Sequence, residues 1–286
     1  MPLLVSTDWL AAHLDDPNVR IVDARWYLAD LAKGEADYQK GHIPNAVYLS
    51  VDRHLASHPL LDAKTGRHPL PTPEAFTETM ENAGISANTQ VVAYDDAGGA
   101  NAARVWWLLH YFGHDNASLL DGGLHQWLKE GRPLSLETPT FPRGEFHAQP
   151  HPHLIVTKEE MKELTRNPHV VMFDARIRDR YQGKGDPVDP RPGHIPGAKS
   201  APTAENLRAP DDLRFKEPEA MRAHYDALGA NGADEIVTYC GSGVTACADL
   251  FALELAGYDK VRLYVGSFSE WSRDPTLPVI TGPDPY

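Results

Sequence analysis

Leu3 to Arg25 of this chain aligns without a gap onto Leu154 to Arg176, 151 residues further on, with Pro17 against Pro168 and Asp23-Ala24-Arg25 against Asp174-Ala175-Arg176. Gly41-His42-Ile43-Pro44 recurs as Gly193-His194-Ile195-Pro196, and the apolar run ending at Tyr94 recurs as the one ending at Tyr239. The segment from Leu120 to Trp127 recurs from Val265 to Trp271. Four blocks repeated in one order, at a period far longer than a solenoid unit, mean two duplicated domains. We read residues 3–135 as the first copy, 136–153 as a linker carrying Pro139, Pro142, Pro150 and Pro152, and 154–282 as the second copy.

Both copies follow one coarse plan. Thr157-x-x-Glu160 forms a capping box ahead of a first helix, and Ser6 with Asp8 opens the equivalent helix in copy one. Short β-rich runs follow at Val19 to Val22 and Val170 to Phe173, at Val91 to Tyr94 and Ile236 to Tyr239, and at Ser118 to Leu120 and Val261 to Val265. Helical segments separate them. The expected fold class is therefore α/β, two tandem domains, each a largely parallel sheet flanked by helices, with ligands at the carboxyl ends of the strands.

Composition removes whole classes of function. Hydrophobic residues at 42% and charged residues at 23% suit a folded soluble chain, with no apolar run long enough for a membrane span. Forty acidic against 27 basic residues leave a net charge of −13, which repels nucleic-acid phosphates and anionic lipid, so neither is an expected partner. Two cysteines cannot form a disulfide framework, and no four Cys or His stand at zinc-binding spacing. Without a basic n-region and long apolar h-region at the N-terminus, the expected location is the cytoplasm.

The chemistry gathers in one loop. After the run Ile236 to Tyr239 the chain turns through Cys240-Gly241-Ser242-Gly243-Val244-Thr245 into an apolar helix over 245–256, with Gly257 as its stop. Two glycines let backbone N–H groups converge, and the helix N-terminus adds partial positive charge, making a nest for an anion that favours the thiolate form of Cys240. A cysteine phosphatase would need an Arg six positions after the nucleophile to grip phosphate, and that position is Ala246. In the other copy the residue aligned with Cys240 is Asp95, so the first domain carries no nucleophile. Cys247 reads as a packing residue. His42, His194, Asp23 and Asp174 read as structural.

The block Cys240-Gly241-Ser242-Gly243-Val244-Thr245-Ala246, closing the second of two homologous halves, resembles the active-site loop of the rhodanese superfamily, in particular its two-domain 3-mercaptopyruvate and thiosulfate sulfurtransferases. The resemblance implies two rhodanese domains, the second alone catalytic, with Cys240 carrying a persulfide and Gly241, Gly243, Val244 and Thr245 lining the donor's place. It also implies two arginines for a donor carboxylate, matching Arg180 and Arg191, and a relay of Ser242 with His68 and Asp52. For either arginine the alternative is a solvated surface charge, and for Ser242 a bond to its own backbone. The implied partners are a small-molecule sulfur donor and a thiol acceptor such as thioredoxin, with no metal or organic cofactor. A neutral Gly241-Ser242 pair after the cysteine suits a monoanion better than the thiosulfate dianion. A thiosulfate:cyanide sulfurtransferase and a noncatalytic regulatory protein are the alternatives.

Overall fold

The computed structural model describes residues 2–57, 65–185 and 188–286. Contacts divide them into two units: 2–57, Leu70–His151 and Leu207–Phe215 in the first, and 65–69, Pro152–Asn206 and Lys216–Tyr286 in the second. The first unit runs β1 (Leu4–Val5), α1 (Thr7–Ala12), β2 (Val19–Asp23), α2 (Lys33–Lys40), β3 (Ala46–Tyr48) and α3 (Val51–His54). It continues with α4 (Pro73–Asn82), β4 (Gln90–Tyr94), α5 (Ala102–Tyr111), β5 (Ala117–Leu120) and α6 (Gly123–Lys129). The second runs β6 (Ile155–Val156), α7 (Lys158–Leu164), β7 (Val170–Asp174), α8 (Arg178–Tyr181) and β8 (Ala198–Ser200). A hairpin of β9 (Leu207–Ala209) and β10 (Asp212–Phe215) then joins the first unit. The chain closes with α9 (Pro218–Ala227), β11 (Glu235–Tyr239), α10 (Ala246–Leu255), β12 (Val261–Tyr264) and α11 (Ser267–Trp271).

The two five-stranded sheets have strand orders β1-β5-β4-β2-β3 and β6-β12-β11-β7-β8, and every pairing within them is parallel. Helices cover both faces, which is why β2 and nearly all of β4 and β11 are buried along their length rather than alternating between buried and exposed. The Thr157–Glu160 capping box forms in both directions, and the Ser6 side chain accepts the Trp9 N–H. Each closes off donors that the first helical turn would leave orphaned.

The repeated blocks meet in one buried network per unit. Arg25 donates to both Asp23 oxygens and to the Gly41 carbonyl, while Tyr94 donates its hydroxyl to Asp23 and accepts the Ile43 N–H. In the second unit Arg176 binds Asp174 and the Gly193 carbonyl, and the Tyr239 hydroxyl accepts the Ile195 N–H. His42 and His194 stack on Tyr38 and Tyr181 and turn their ring nitrogens to backbone carbonyls. Trp127 and Trp271 each donate an indole N–H to a proline carbonyl. These blocks therefore recur because they tie the loops after the central strands to the sheet, which fixes where those loops point.

The stretch read as a linker packs along the first unit as far as His151. Phe146 is buried against Phe76, the Ala87 N–H donates to Glu145, and Gln149 and His151 donate to the Phe112 and Tyr111 carbonyls. Its prolines bar a regular ladder but not side-chain packing.

Replacing Arg25 by Ala leaves the fully buried Asp23 carboxylate without its cation, at a cost of about 3–5 kcal/mol. Urea unfolding followed by fluorescence should show the first unit melting much earlier, and a midpoint within error of wild type would contradict the role of this pair.

Candidate active site

The loop that follows β11 is held from two sides. The Phe268 and Ser269 N–H groups at the start of α11 donate to the Cys240 and Gly241 carbonyls at 2.9 Å each, and the Cys240 N–H donates to Ser267 Oγ at 3.2 Å. Ser267 adopts a left-handed φ of 54°, unusual for a non-glycine residue, and its hydroxyl is anchored on the Tyr264 carbonyl. Gly243, at φ 76°, passes so close to β12 that a Cβ there would stand 2.6 Å from the Val265 carbonyl. The glycine is required by the close approach as well as by the turn.

Within this frame the buried Cys240 Sγ accepts the Gly243 N–H at 3.2 Å and the Ser242 N–H at 3.5 Å. Negative charge on that sulfur is thus met by fixed donors at the mouth of α10. Val244 and Ala246 are buried beneath the loop and Thr245 is half-buried at the helix entry. Cys247 is buried on α10 and directs its thiol to the Gly243 carbonyl at 3.4 Å.

The first unit answers the same geometry with a different occupant. The Asp95 carboxylate takes four backbone N–H groups, from Ala97, Gly99, Asn101 and Ala102, at 2.7 to 2.9 Å. Burial pushes its carboxyl up while those four donors oppose the shift. The Leu124 N–H donates to the Asp95 carbonyl just as Phe268 does to Cys240. This nest is filled by the chain's own anion.

His68 groups with the second unit. A Cβ on Gly66 would collide with the Gly266 carbonyl, so this glycine allows the 65–69 segment to lie against the start of α11, where the Arg67 N–H donates to Ser269 Oγ and Arg273 donates to the Thr65 carbonyl. His68 is buried there with Nδ1 2.7 Å from Ser242 Oγ. Asp52 lies in the first unit, where the Trp26 indole N–H donates to it at 2.5 Å.

Of the two arginines expected at the donor's place, the structure brings one to the loop. Arg180 stands over Gly241, its Nη2 3.2 Å from where a Cβ would be. Arg191 is committed elsewhere: its guanidinium donates to the Trp271, Ser272, Asp274 and Leu277 carbonyls, which clamps the turn after α11. Four of its five N–H donors are used, so it is a structural arginine and is not carried forward as a carboxylate ligand. Arg67 comes instead, with Nη2 2.7 Å from the same point above Gly241.

Two further groups were not legible as site residues. Asp189, buried, pairs with both Arg67 and Arg180. Asp249 is fully buried in the first turn of α10, accepting from Asn206 Nδ2 at 2.8 Å, and its Oδ2 has no partner among the described residues. Burial, with the Cys240, Asp174 and Glu205 charges added, pushes the Asp249 carboxyl well above the usual carboxylate range. Its sequence signal is an acid in the first turn of a helix that is apolar but for it and Glu254. Arg67 and Asp189 carried no spacing signal at all. Among the described residues no cluster of His, Cys, Asp or Glu could hold a metal ion, and no helix is long and apolar enough to cross a membrane.

Comparison with known proteins gives the family. The rhodanese-like domain model matches residues 6–130 and again 157–274. The chain belongs to the rhodanese family and is a sulfurtransferase. A Pseudomonas aeruginosa protein named "Probable 3-mercaptopyruvate sulfurtransferase" is 42% identical over 281 residues, 98% of each chain. The mitochondrial thiosulfate/3-mercaptopyruvate sulfurtransferase 1 of Arabidopsis thaliana is 32% identical over 96% of this chain and 77% of its own length. The crystal structure of SseA from Escherichia coli, described as a 3-mercaptopyruvate sulfotransferase, superposes with a TM-score of 0.82 at 32% identity, covering 94% of this chain and 100% of that one.

The Asp249 carboxyl holds its proton more tightly in the folded chain than in the unfolded one. Stability therefore falls as pH rises above the unfolded value of about 4, until the folded carboxyl itself ionises. An Asp249→Asn variant keeps the acceptor for Asn206 and lacks this loss. Its stability relative to wild type should grow with pH between about 4 and 7, measured by denaturant unfolding across that range. A difference that stays constant with pH would contradict a neutral Asp249.

Proposed function

We propose that this protein moves sulfane sulfur from 3-mercaptopyruvate to a thiol acceptor through a persulfide on Cys240. The observation that carries the reading is the Cys240 sulfur facing two loop N–H groups while two guanidinium groups stand over Gly241 and a Ser242–His68 pair lies alongside. The Cys240 thiolate attacks the donor's sulfur. The carbon–sulfur bond breaks, its electron pair passes to carbon as the enolate of pyruvate, and the transferred sulfur stays on Cys240. The donor thiol's proton passes through the Ser242 and His68 side to the enolate carbon and completes pyruvate, which leaves the outer sulfur of the persulfide negative and facing the loop amides.

An acceptor thiolate, such as that of reduced thioredoxin, or cyanide in vitro, then takes the outer sulfur and returns the Cys240 thiolate. Arg180 binds the donor carboxylate, for which a guanidinium fork is the matching partner. Gly241, Gly243, Val244 and Thr245 shape the loop. Asp52 is carried as the third member of the relay by family resemblance alone. The Asp95-filled nest of the first unit supports a noncatalytic role for that copy.

A second donor, thiosulfate, is the alternative if the Arg67 and Arg180 charges at the loop are drawn away from Asp189 onto the donor. Incubation with 3-mercaptopyruvate should add the mass of one sulfur atom, mapped to Cys240, retained in Cys247→Ser and lost in Cys240→Ser. The kcat/KM for 3-mercaptopyruvate should exceed that for thiosulfate. Label on Cys247, or turnover by Cys240→Ser, would overturn the mechanism, and a higher kcat/KM with thiosulfate would overturn the donor.

A further inference from the structure

The guanidinium groups of Arg67 and Arg180 both stand over Gly241, and both are bridged by one buried carboxylate, Asp189. Arg67 Nη1 donates to its Oδ1, and Arg180 Nη2 donates to its Oδ2 at 2.7 Å. Arg176 Nη1 lies 3.8 Å from the same Oδ2, but its charge already faces Asp174, with which it makes a shorter contact of 2.5 Å. Burial works against the Arg176 charge, and Asp174, with Tyr239 and Asp189 after it, more than offsets that. The adjoining cavity, about 20 Å³, is lined in part by Arg180, Lys184 and Phe268. Whatever anion binds over Gly241 therefore shares these guanidiniums with Asp189 or draws them from it.

We propose that Asp189 is a specificity-determining residue: by occupying the Arg67 and Arg180 pair it leaves one net positive charge above the cysteine loop, which matches a monoanionic donor better than a dianion. The inference rests on the reading that the donor's anionic group docks at Arg180, and it gives Arg67 the place left open by Arg191. Asp189 acts through the two arginines and does not touch the reacting sulfur. Removing its charge leaves two net positive charges at the loop, while removing the Arg67 charge leaves none.

The discriminating quantity is the ratio of kcat/KM for thiosulfate to kcat/KM for 3-mercaptopyruvate. The two donors differ by one unit of charge, so one charge changed beside the site moves their ratio by about tenfold, after allowance for screening. Asp189→Asn should raise the ratio by about that factor and Arg67→Gln should lower it. The double variant restores one net positive charge and should return the ratio to the wild-type value, which loss of packing could not do. If each single variant slows both donors equally, or the double variant compounds the loss without restoring the ratio, the proposal is overturned. Should Asp189→Asn fail to fold, Arg67→Gln alone decides, since an unchanged ratio there is equally fatal. The wild-type ratio tests the donor and its change tests the charge, so failure of one is separable from failure of the other.

Discussion

The loop between a central parallel strand and the next helix turns backbone N–H groups toward one point, and both halves of this chain are organised by what those groups hold. In the first unit the Asp95 carboxylate takes four of the donors permanently. In the second the occupant is the Cys240 sulfur, held by the Ser242 and Gly243 amides. One backbone device thus gives a closed structural turn in one copy and a place where negative charge can form and leave in the other. The brace is common to both: a backbone amide from the helix after the last central strand holds the carbonyl of Asp95 or of Cys240. At that turn the first copy uses Gly123 and the second uses Ser267, both with positive φ, and the serine adds a hydroxyl that receives the Cys240 N–H.

Charge is arranged around this sulfur in layers. Beneath it, Asp249 is held toward its neutral form by burial, so it does not oppose a thiolate as an ionised acid would. Above it, Arg67 and Arg180 supply positive charge that Asp189 partly cancels. Beside it, His68 and Ser242 make a hydrogen-bonded pair of groups that can both donate and accept a proton. The upper layer is anchored to the duplicated network, since Arg176 reaches from the Asp174 pair toward Asp189.

The architecture is readable in the sequence because the repeat and the largely apolar central strands both report burial. Edge strands such as β1, β3, β6 and β8 were not legible, because two or three residues acquire strand geometry only from their neighbour. Cys240 and its loop were legible because a strand, two glycines and a helix start are all local signals. His68 was identifiable only through family resemblance, and its grouping with the second unit depends on Gly66 lying against Gly266, a contact that spans 200 residues of chain. Arg191 and Arg67 show the opposite failures. The first sits at the expected place but spends its donors on carbonyls, and the second sits in no motif yet reaches the loop.

The central claim is that the loop amides exist to hold the outer sulfur of a Cys240 persulfide. A crystal structure of the protein trapped with 3-mercaptopyruvate in the absence of acceptor tests this most directly. The account predicts a second sulfur on Cys240 Sγ, within hydrogen-bond distance of backbone N–H groups of residues 241–245, with Cys247 unmodified. A bare Cys240 in crystals that have released pyruvate, or an outer sulfur turned away from those amides, would contradict it.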